Sequence, residues 1–224
     1  ELEEVAKKYG QDRKTQIVSA ETEDATNEPE VLDDSPVTLF FTKDGYFKKI
    51  TPLSLRMSGE QKLKEGDEIV QTIESTNAHD LLFFTTNAQV YKSRTIDFAD
   101  GKASQLGDYL LQKLGFEAGE TVKQVLLCGD YKGFVLFCFE NGKVAKVPLS
   151  AYETKTNRKK LTGAYSDKSP LVKALALDSD EQMVVYSTDG RAAIFSTAQL
   201  NPKTTRNTQG VAVLSLKKKA VLSD

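Results

Sequence analysis

The chain has 224 residues, 39% of them hydrophobic and 28% charged, with a formal net charge of −2. That is enough for one sizeable core, or for a domain with a tail, and no run of about 18 apolar residues is present to cross a bilayer as a helix. The opening ELEEVAKKYG has neither the basic flank nor the apolar centre of a secretory signal. Without an initiator Met, the sequence is expected to be a piece of a longer chain.

Charge is unevenly spread. Residues 1–35 hold four basic and eleven acidic groups, whereas residues 36–224 hold 26 basic and 21 acidic ones. Residues 1–17 are expected to form a short helix, with Leu2, Val5 and Ala6 on one side and Gly10 as its stop, followed by an extension. Residues 18–35, acidic and poor in aromatics, read as a linker. From 36 to 224 the texture is one of short β runs.

Four of these runs repeat one phrase. VTLFFT and YFKKI flank Asp44-Gly45, and DLLFFT and QVYKS flank Asn87-Ala88. GFVLFCF and KVAKV flank Asn141-Gly142, and EQMVVYS and RAAIFS flank Asp189-Gly190. Asn-Gly and Asp-Gly favour left-handed backbone, so two-residue hairpin turns are expected; Ala88 makes the second the weakest. Further strands are expected at 67–75, 120–128 and 169–177, and DYLLQKL (108–114) suggests a helical turn or an embellished blade edge. VAVLSL and KKKAVLS, near the end, read as a strand and the start of another.

The second turn residues, 45, 88, 142 and 190, are separated by 43, 54 and 48 residues. A period of that size with several strands per unit is the mark of propeller blades, because one blade cannot bury both of its faces. A two-sheet sandwich also uses many short strands but does not need the same phrase at fixed spacing.

Chemistry is sparse. Cys128 and Cys138 sit in apolar runs and are expected to be buried thiols; His79, beside Asp80 before a strand, is expected to fix a turn. No phosphate-cradling GxxxxGK[ST] run and no nucleophile–base set is present, so no catalytic, cofactor-binding or metal-binding residue is assigned. The basic groups are more informative. Residues 146–173 contain Lys146, Lys155, Arg158, Lys159, Lys160, Lys168 and Lys173 against Glu153 and Asp167 alone. Residues 201–219 add Lys203, Arg206, Lys217, Lys218 and Lys219 without an acid. Such residues either solvate a rim or form a track for phosphate backbones, which need no base-specific geometry. The phenylalanines belong to strand runs, so duplex DNA is a better target than stacked single strands.

ELEEVAKKYGQDRKTQI resembles the ELxxIxxKYGDxRRTxI segment at the end of the breakage–reunion core of bacterial type IIA topoisomerase A subunits, the DNA gyrase and topoisomerase IV family. FFTKDGYFKKITPLS and NAHDLLFFTTNAQVYKSRTIDF resemble that family's first C-terminal blades, and TTRNTQGVAVLSLKKKAVLS a later NTxGVxxxxLKKxDxVV passage. The resemblance implies an all-β pinwheel, propeller-like, of about four to five blades in a shortened or open disc, spanning 36–224. It implies non-sequence-specific binding and bending of duplex DNA within an ATP-dependent topoisomerase, this part being non-catalytic. Mg²⁺ and ATP, the latter on the B subunit, belong to the holoenzyme. So do the A-subunit dimer and the ATPase partner of an A2B2 assembly, which is cytoplasmic, nucleoid-associated and free of membrane contacts. The family's gyrases carry a QRRGG[KR]G box after the first blade hairpin. Here LSLRMSGEQKLKEGD (53–67) keeps Arg56, Gly59, Lys62 and Lys64 but not the box, which favours the topoisomerase IV type. The alternatives are a gyrase A subunit with a degenerate box and a protein-interaction propeller without nucleic acid. The DNA-binding residues expected are Lys48, Lys49, Lys62, Lys64, Lys92, Arg94, Lys155, Arg158, Lys159, Lys160, Lys203 and Arg206, all as phosphate contacts.

Overall fold

The structure, a computed structural model, describes Lys8, residues 34–154 and residues 159–224. The chain divides into two units, Glu1–Leu32 and Asp33–Asp224. Apart from Lys8, the expected helix at 1–17 and most of the linker at 18–35 lie outside the described residues.

The four repeated phrases form four antiparallel hairpins: β1 (Pro36–Thr42) with β2 (Tyr46–Ile50), β4 (Asp80–Thr85) with β5 (Val90–Arg94), β8 (Phe134–Phe139) with β9 (Lys143–Pro148), and β12 (Gln182–Tyr186) with β13 (Ala192–Ser196). Their loops are longer than the two residues expected. Three residues separate the strands of the first and third hairpins, four those of the second and five those of the fourth. Gly45, Gly142 and Gly190 donate their N–H to the carbonyl three residues back, at 3.0 Å each, and take φ of +88°, +76° and +80°. A turn closed by a left-handed glycine explains the Asp-Gly and Asn-Gly spelling as well as a two-residue turn does. Ala88 adopts the same left-handed state, φ +53°, despite its Cβ.

The intervening strands β3 (Ile69–Thr76), β7 (Val122–Cys128) and β11 (Leu171–Leu177) lie within two residues of their expected bounds. Each pairs with the first strand of the hairpin before it, β3 with β1, β7 with β4 and β11 with β8. A plain meander would place them on the second strand. That second strand instead receives a two-residue strand from after the following hairpin. β6 (Asp108–Tyr109) completes the first sheet, β10 (Lys160–Leu161) the second and β14 (Val211–Ala212) the third. Every complete sheet therefore borrows its fourth strand from the next repeat. In the last sheet residues 221–224 take the place of β3, with Ser187 opposite Leu222 and Tyr186 N–H donating to the Asp224 carbonyl.

Close approach of the borrowed strands sets a demand on the residues before them. A Cβ on Gly210 would lie 2.0 Å from the Val144 carbonyl oxygen, and one on Gly107 would lie 2.4 Å from that of Phe47. Links between hairpins carry the remaining elements, notably α1 (Pro52–Met57) and α2 (Leu110–Leu114), the second being the expected helical turn.

Successive sheets bury their faces against one another in chain order. Leu39, Phe41 and Phe47 of the first meet Leu81, Phe83 and Val125 of the second. Leu82, Phe84 and Val90, on the second sheet's other face, meet Val135, Phe137 and Ala145 of the third. Leu136, Cys138 and Val144 in turn meet Met183, Val185 and Phe195 of the fourth. Sheets buried on both faces read as continuous apolar runs, which is why LFF, LLFF and VLFCF do not alternate. The all-β, several-bladed class expected from the sequence is borne out.

One register recurs. Counted from the left-handed loop residue, the positions six before, four before and two after are Leu39, Phe41 and Phe47, then Leu82, Phe84 and Val90, then Leu136, Cys138 and Val144. All nine are buried facing the next sheet. In the fourth repeat the same positions are Val184, Tyr186 and Ala192, and they are exposed, Val184 at 43% and Tyr186 at 52%. Equivalent truncations should therefore have unequal costs. Leu136→Ala should lose about 2–5 kcal/mol in a urea titration, the usual toll of a core cavity. Val184→Ala should stay within about 0.5 kcal/mol of the parent.

Candidate nucleic-acid interface

The expected phosphate contacts separate into groups once placed on this frame. Lys48 and Lys49 sit on β2, 2% and 5% exposed. The Lys48 ammonium donates to the carbonyls of Lys62 (3.0 Å) and Gln105 (3.1 Å), and burial lowers its pKa. Lys49 Nζ lies 3.0 Å from Asp100 Oδ1 and donates to Asn77 Oδ1 at the same distance. A phosphate cannot reach either amine without opening the first sheet's cover, so neither is an accessible cation. Sequence reading missed this because YFKKI spells an exposed, basic strand end.

Lys49 also marks a rule of the repeat. The position four after the left-handed residue is Lys49, Lys92 and Lys146 in the first three repeats and Ile194 in the fourth. Each lysine is tied to residues further along the chain. Lys49 meets Asp100, Lys92 donates to Thr154 Oγ1 (3.2 Å), and Lys146 meets Asp180 (2.6 Å) and the Thr197 carbonyl (3.1 Å). These are staples between repeats, with Lys92 and Lys146 also lying over the Tyr131 and Phe134 rings at 4.6 and 4.5 Å.

Four candidates lie nearer the surface with partners. Lys64 pairs with Asp44 (3.1 Å), Arg94 with Asp97 (3.5 Å) and Lys160 with Glu117 (2.6 Å), while Arg206 donates to the carbonyls of Ala151 (3.1 Å) and Thr162 (3.4 Å). The Lys160 hydrogen bond holds the Glu117 carboxyl below its ordinary range and raises the lysine in return. Exposed pairs of this kind contribute little in water, so a phosphate can displace the carboxylate. Lys62, Lys159 and Lys203 are exposed and have no carboxylate partner among the described residues. Lys155 and Arg158 lie outside the described residues.

The expected reading of His79 holds: its Nδ1 accepts from Thr76 N–H (3.3 Å) and lies 3.2 Å from Ser75 Oγ, closing the turn before β4. The most buried carboxylate, Glu120, accepts from Thr85 Oγ1, from Tyr91 OH (2.9 Å) and from Glu117 N–H (3.0 Å). With three donors in place, this buried carboxylate ties the segment ahead of β7 to the second hairpin.

Residues 181–224 match the family model described as the DNA gyrase C-terminal domain, beta-propeller. The gyrase A protein of Mycobacterium bovis is 27% identical over 206 residues, covering 88% of this chain and 24% of the relative. The corresponding A protein of DNA topoisomerase 4 from Staphylococcus epidermidis is 28% identical over 223 residues, covering 97% of this chain and 28% of the relative. Over most of its length the chain is similar to the A subunits of DNA gyrase and of DNA topoisomerase 4. The fold agrees: the crystal structure of the C-terminal domain of DNA topoisomerase IV superposes with a TM-score of 0.72 at 22% identity, covering 85% of this chain and 60% of that one. The resemblance read from the motifs is thus borne out. The chain spans about a quarter of the length of these type IIA relatives.

In this blade frame Cys128 and Cys138 are free and buried, on β7 and β8, and burial pushes both thiols up to about 11. At pH 8 the thiolate fraction is then on the order of 0.1%. Native protein should give almost no rapid reaction with a disulfide reagent such as Ellman's at pH 8, and two equivalents after denaturation. One fast equivalent in the native state would contradict the burial of that thiol.

Proposed function

We propose that this chain is the DNA-holding module of the A subunit in a bacterial type IIA topoisomerase, gripping duplex DNA by its phosphates without reading base sequence. The observation that carries the reading is where the unpaired cations fall. Lys62 and Lys159, exposed candidates without a carboxylate, lie in links between hairpins, as do Lys102 and Lys168, while Lys203 and Lys217–Lys219 lie in the stretch that follows the fourth hairpin. Successive sheets stack in one sense, so equivalent links leave equivalent ends of their sheets and repeat a positive charge at blade spacing. Phosphates spaced along a duplex reward such a series through counterion release.

In that assembly DNA cleavage, Mg²⁺ and ATP turnover belong to other regions and to the B subunits of an A2B2 enzyme, and this module positions and bends the duplex. Affinity for long duplex DNA should fall linearly in log–log against salt, with a slope of about 0.9 per neutralised phosphate. Lys62→Gln with Lys203→Gln should lower that slope by about 1.8, whereas Lys48→Met, at a buried site, should leave it unchanged. Binding that ignores salt would sink the reading.

The finer assignment is to the topoisomerase IV type. The link at 53–67, α1 and the exposed loop after it, lacks the QRRGG[KR]G box and offers Arg56, Lys62 and Lys64 instead, with Lys64 already engaged by Asp44. A reconstituted holoenzyme is expected to decatenate linked circles far better than it introduces negative supercoils. Efficient supercoiling would place it with the gyrases.

A further inference from the structure

Between β5 and α2 the surface closes into a cleft of about 310 Å³, lined by Tyr91, Lys92, Ser93, Asp97, Lys113, Leu114 and Lys159. Its three lysines come from three different stretches. Lys92 lies on the second hairpin, Lys113 on α2 in the link that follows, and Lys159 just ahead of β10, the strand lent back by the third repeat. Strand exchange is what brings the last of them in: Lys92 N–H donates to the Lys159 carbonyl at 2.7 Å, and Lys160 sits opposite Tyr91.

The walls are held by contacts of their own. Tyr91, 2% exposed, donates its hydroxyl to buried Glu120, so the cleft's back is fixed. Lys113 is steered by Asp108 (2.8 Å) and by the Phe98 ring (4.7 Å), and Lys92 by Thr154 and the Tyr131 ring. Asp97, the one acid in the lining, is matched by Arg94 and accepts from Ser93 Oγ (3.2 Å). The lining thus holds three lysines and one carboxylate, and a concave site focuses such an excess more than an open rim does.

We propose that this cleft seats a single phosphate of the duplex backbone, with Lys92, Lys113 and Lys159 converging on it and Ser93 turning its hydroxyl from Asp97 to donate to it. This rests on the duplex-binding reading above and adds to it a defined subsite, including Lys113, which sequence did not suggest. Convergence on one phosphate has a signature that scattered rim lysines lack. Removing three charges should cost one phosphate's worth of salt dependence.

The test measures binding of a long duplex across a salt series, for the parent and for the K92Q/K113Q/K159Q variant. The slope should fall by about 0.9. A fall near 2.7, the value for three separate phosphates, overturns the cleft, and so does an unchanged slope. Because Lys92 and Lys113 also hold neighbouring segments, Lys159→Glu provides a second variant, at an exposed side chain without a carboxylate partner, that keeps the other two lysines; it should give the same loss with an unaltered thermal melt. Calorimetry with inorganic phosphate separates the sources of the anion. Tight binding of free phosphate that the triple variant loses would overturn a backbone ligand in favour of a soluble one. A parent protein that binds no duplex at low salt would sink the duplex reading itself, whereas duplex binding with an unchanged slope in both variants sinks the cleft alone.

Discussion

In the first three hairpins the outer edge of the second strand is satisfied by a strand that the repeat does not itself contain. Unpaired backbone N–H and C=O groups on such an edge are a liability, and the chain meets it by lending two residues backwards from each following repeat. β6, β10 and β14 are too short to stand as strands alone. They hold because Gly107 and Gly210 let the backbones approach where a side chain would collide, and because lysines on the receiving strand are anchored further along the chain. Pairing, packing and ion pairs therefore all link neighbours in chain order, so the repeats stabilise one another rather than folding as independent blades.

That arrangement also sorts the basic residues. A lysine on a hairpin strand is drawn into the seam between repeats, where its charge is neutralised by Asp100 or Asp180 or satisfied by carbonyls, as at Lys48, Lys49 and Lys146. A lysine in a link has no such seam to enter and stays in water. The distinction separates structural cations from those available to a polyanion, and composition alone cannot draw it because both kinds occur in runs such as FKKI and RKKL. The cleft at Lys92, Lys113 and Lys159 is the intermediate case: the seam opens to the surface, and charges gathered for structural reasons are left facing outward together.

The fourth sheet shows what the seam is made of by exposing one. Val184, Tyr186 and Ile194 occupy the positions that face the next sheet in the other repeats, and Ile194 takes the place of the anchoring lysine. Where a lysine would need a partner further along, the chain has an aliphatic residue. The apolar register of a blade is thus written into the hairpin itself, whether or not a neighbour covers it.

Much was legible without coordinates. Strand identity, hairpin pairing and the bladed class follow from apolar runs repeated four times, three of them closed by Asp-Gly or Asn-Gly and one by Asn-Ala, because those are local preferences. Loop length was misjudged, since a left-handed glycine serves a three-residue loop as readily as a two-residue turn. Which hairpin strand receives each intervening strand, and that the fourth strand is borrowed, are decided only by packing: two-residue segments such as Asp108–Tyr109 have no periodicity to read. The burial of Lys48 and Lys49 and the meeting of Lys92, Lys113 and Lys159 belong to tertiary structure for the same reason. Side-chain exposure and long-range convergence depend on which backbones lie against each other, and the order of residues along the chain does not carry that information.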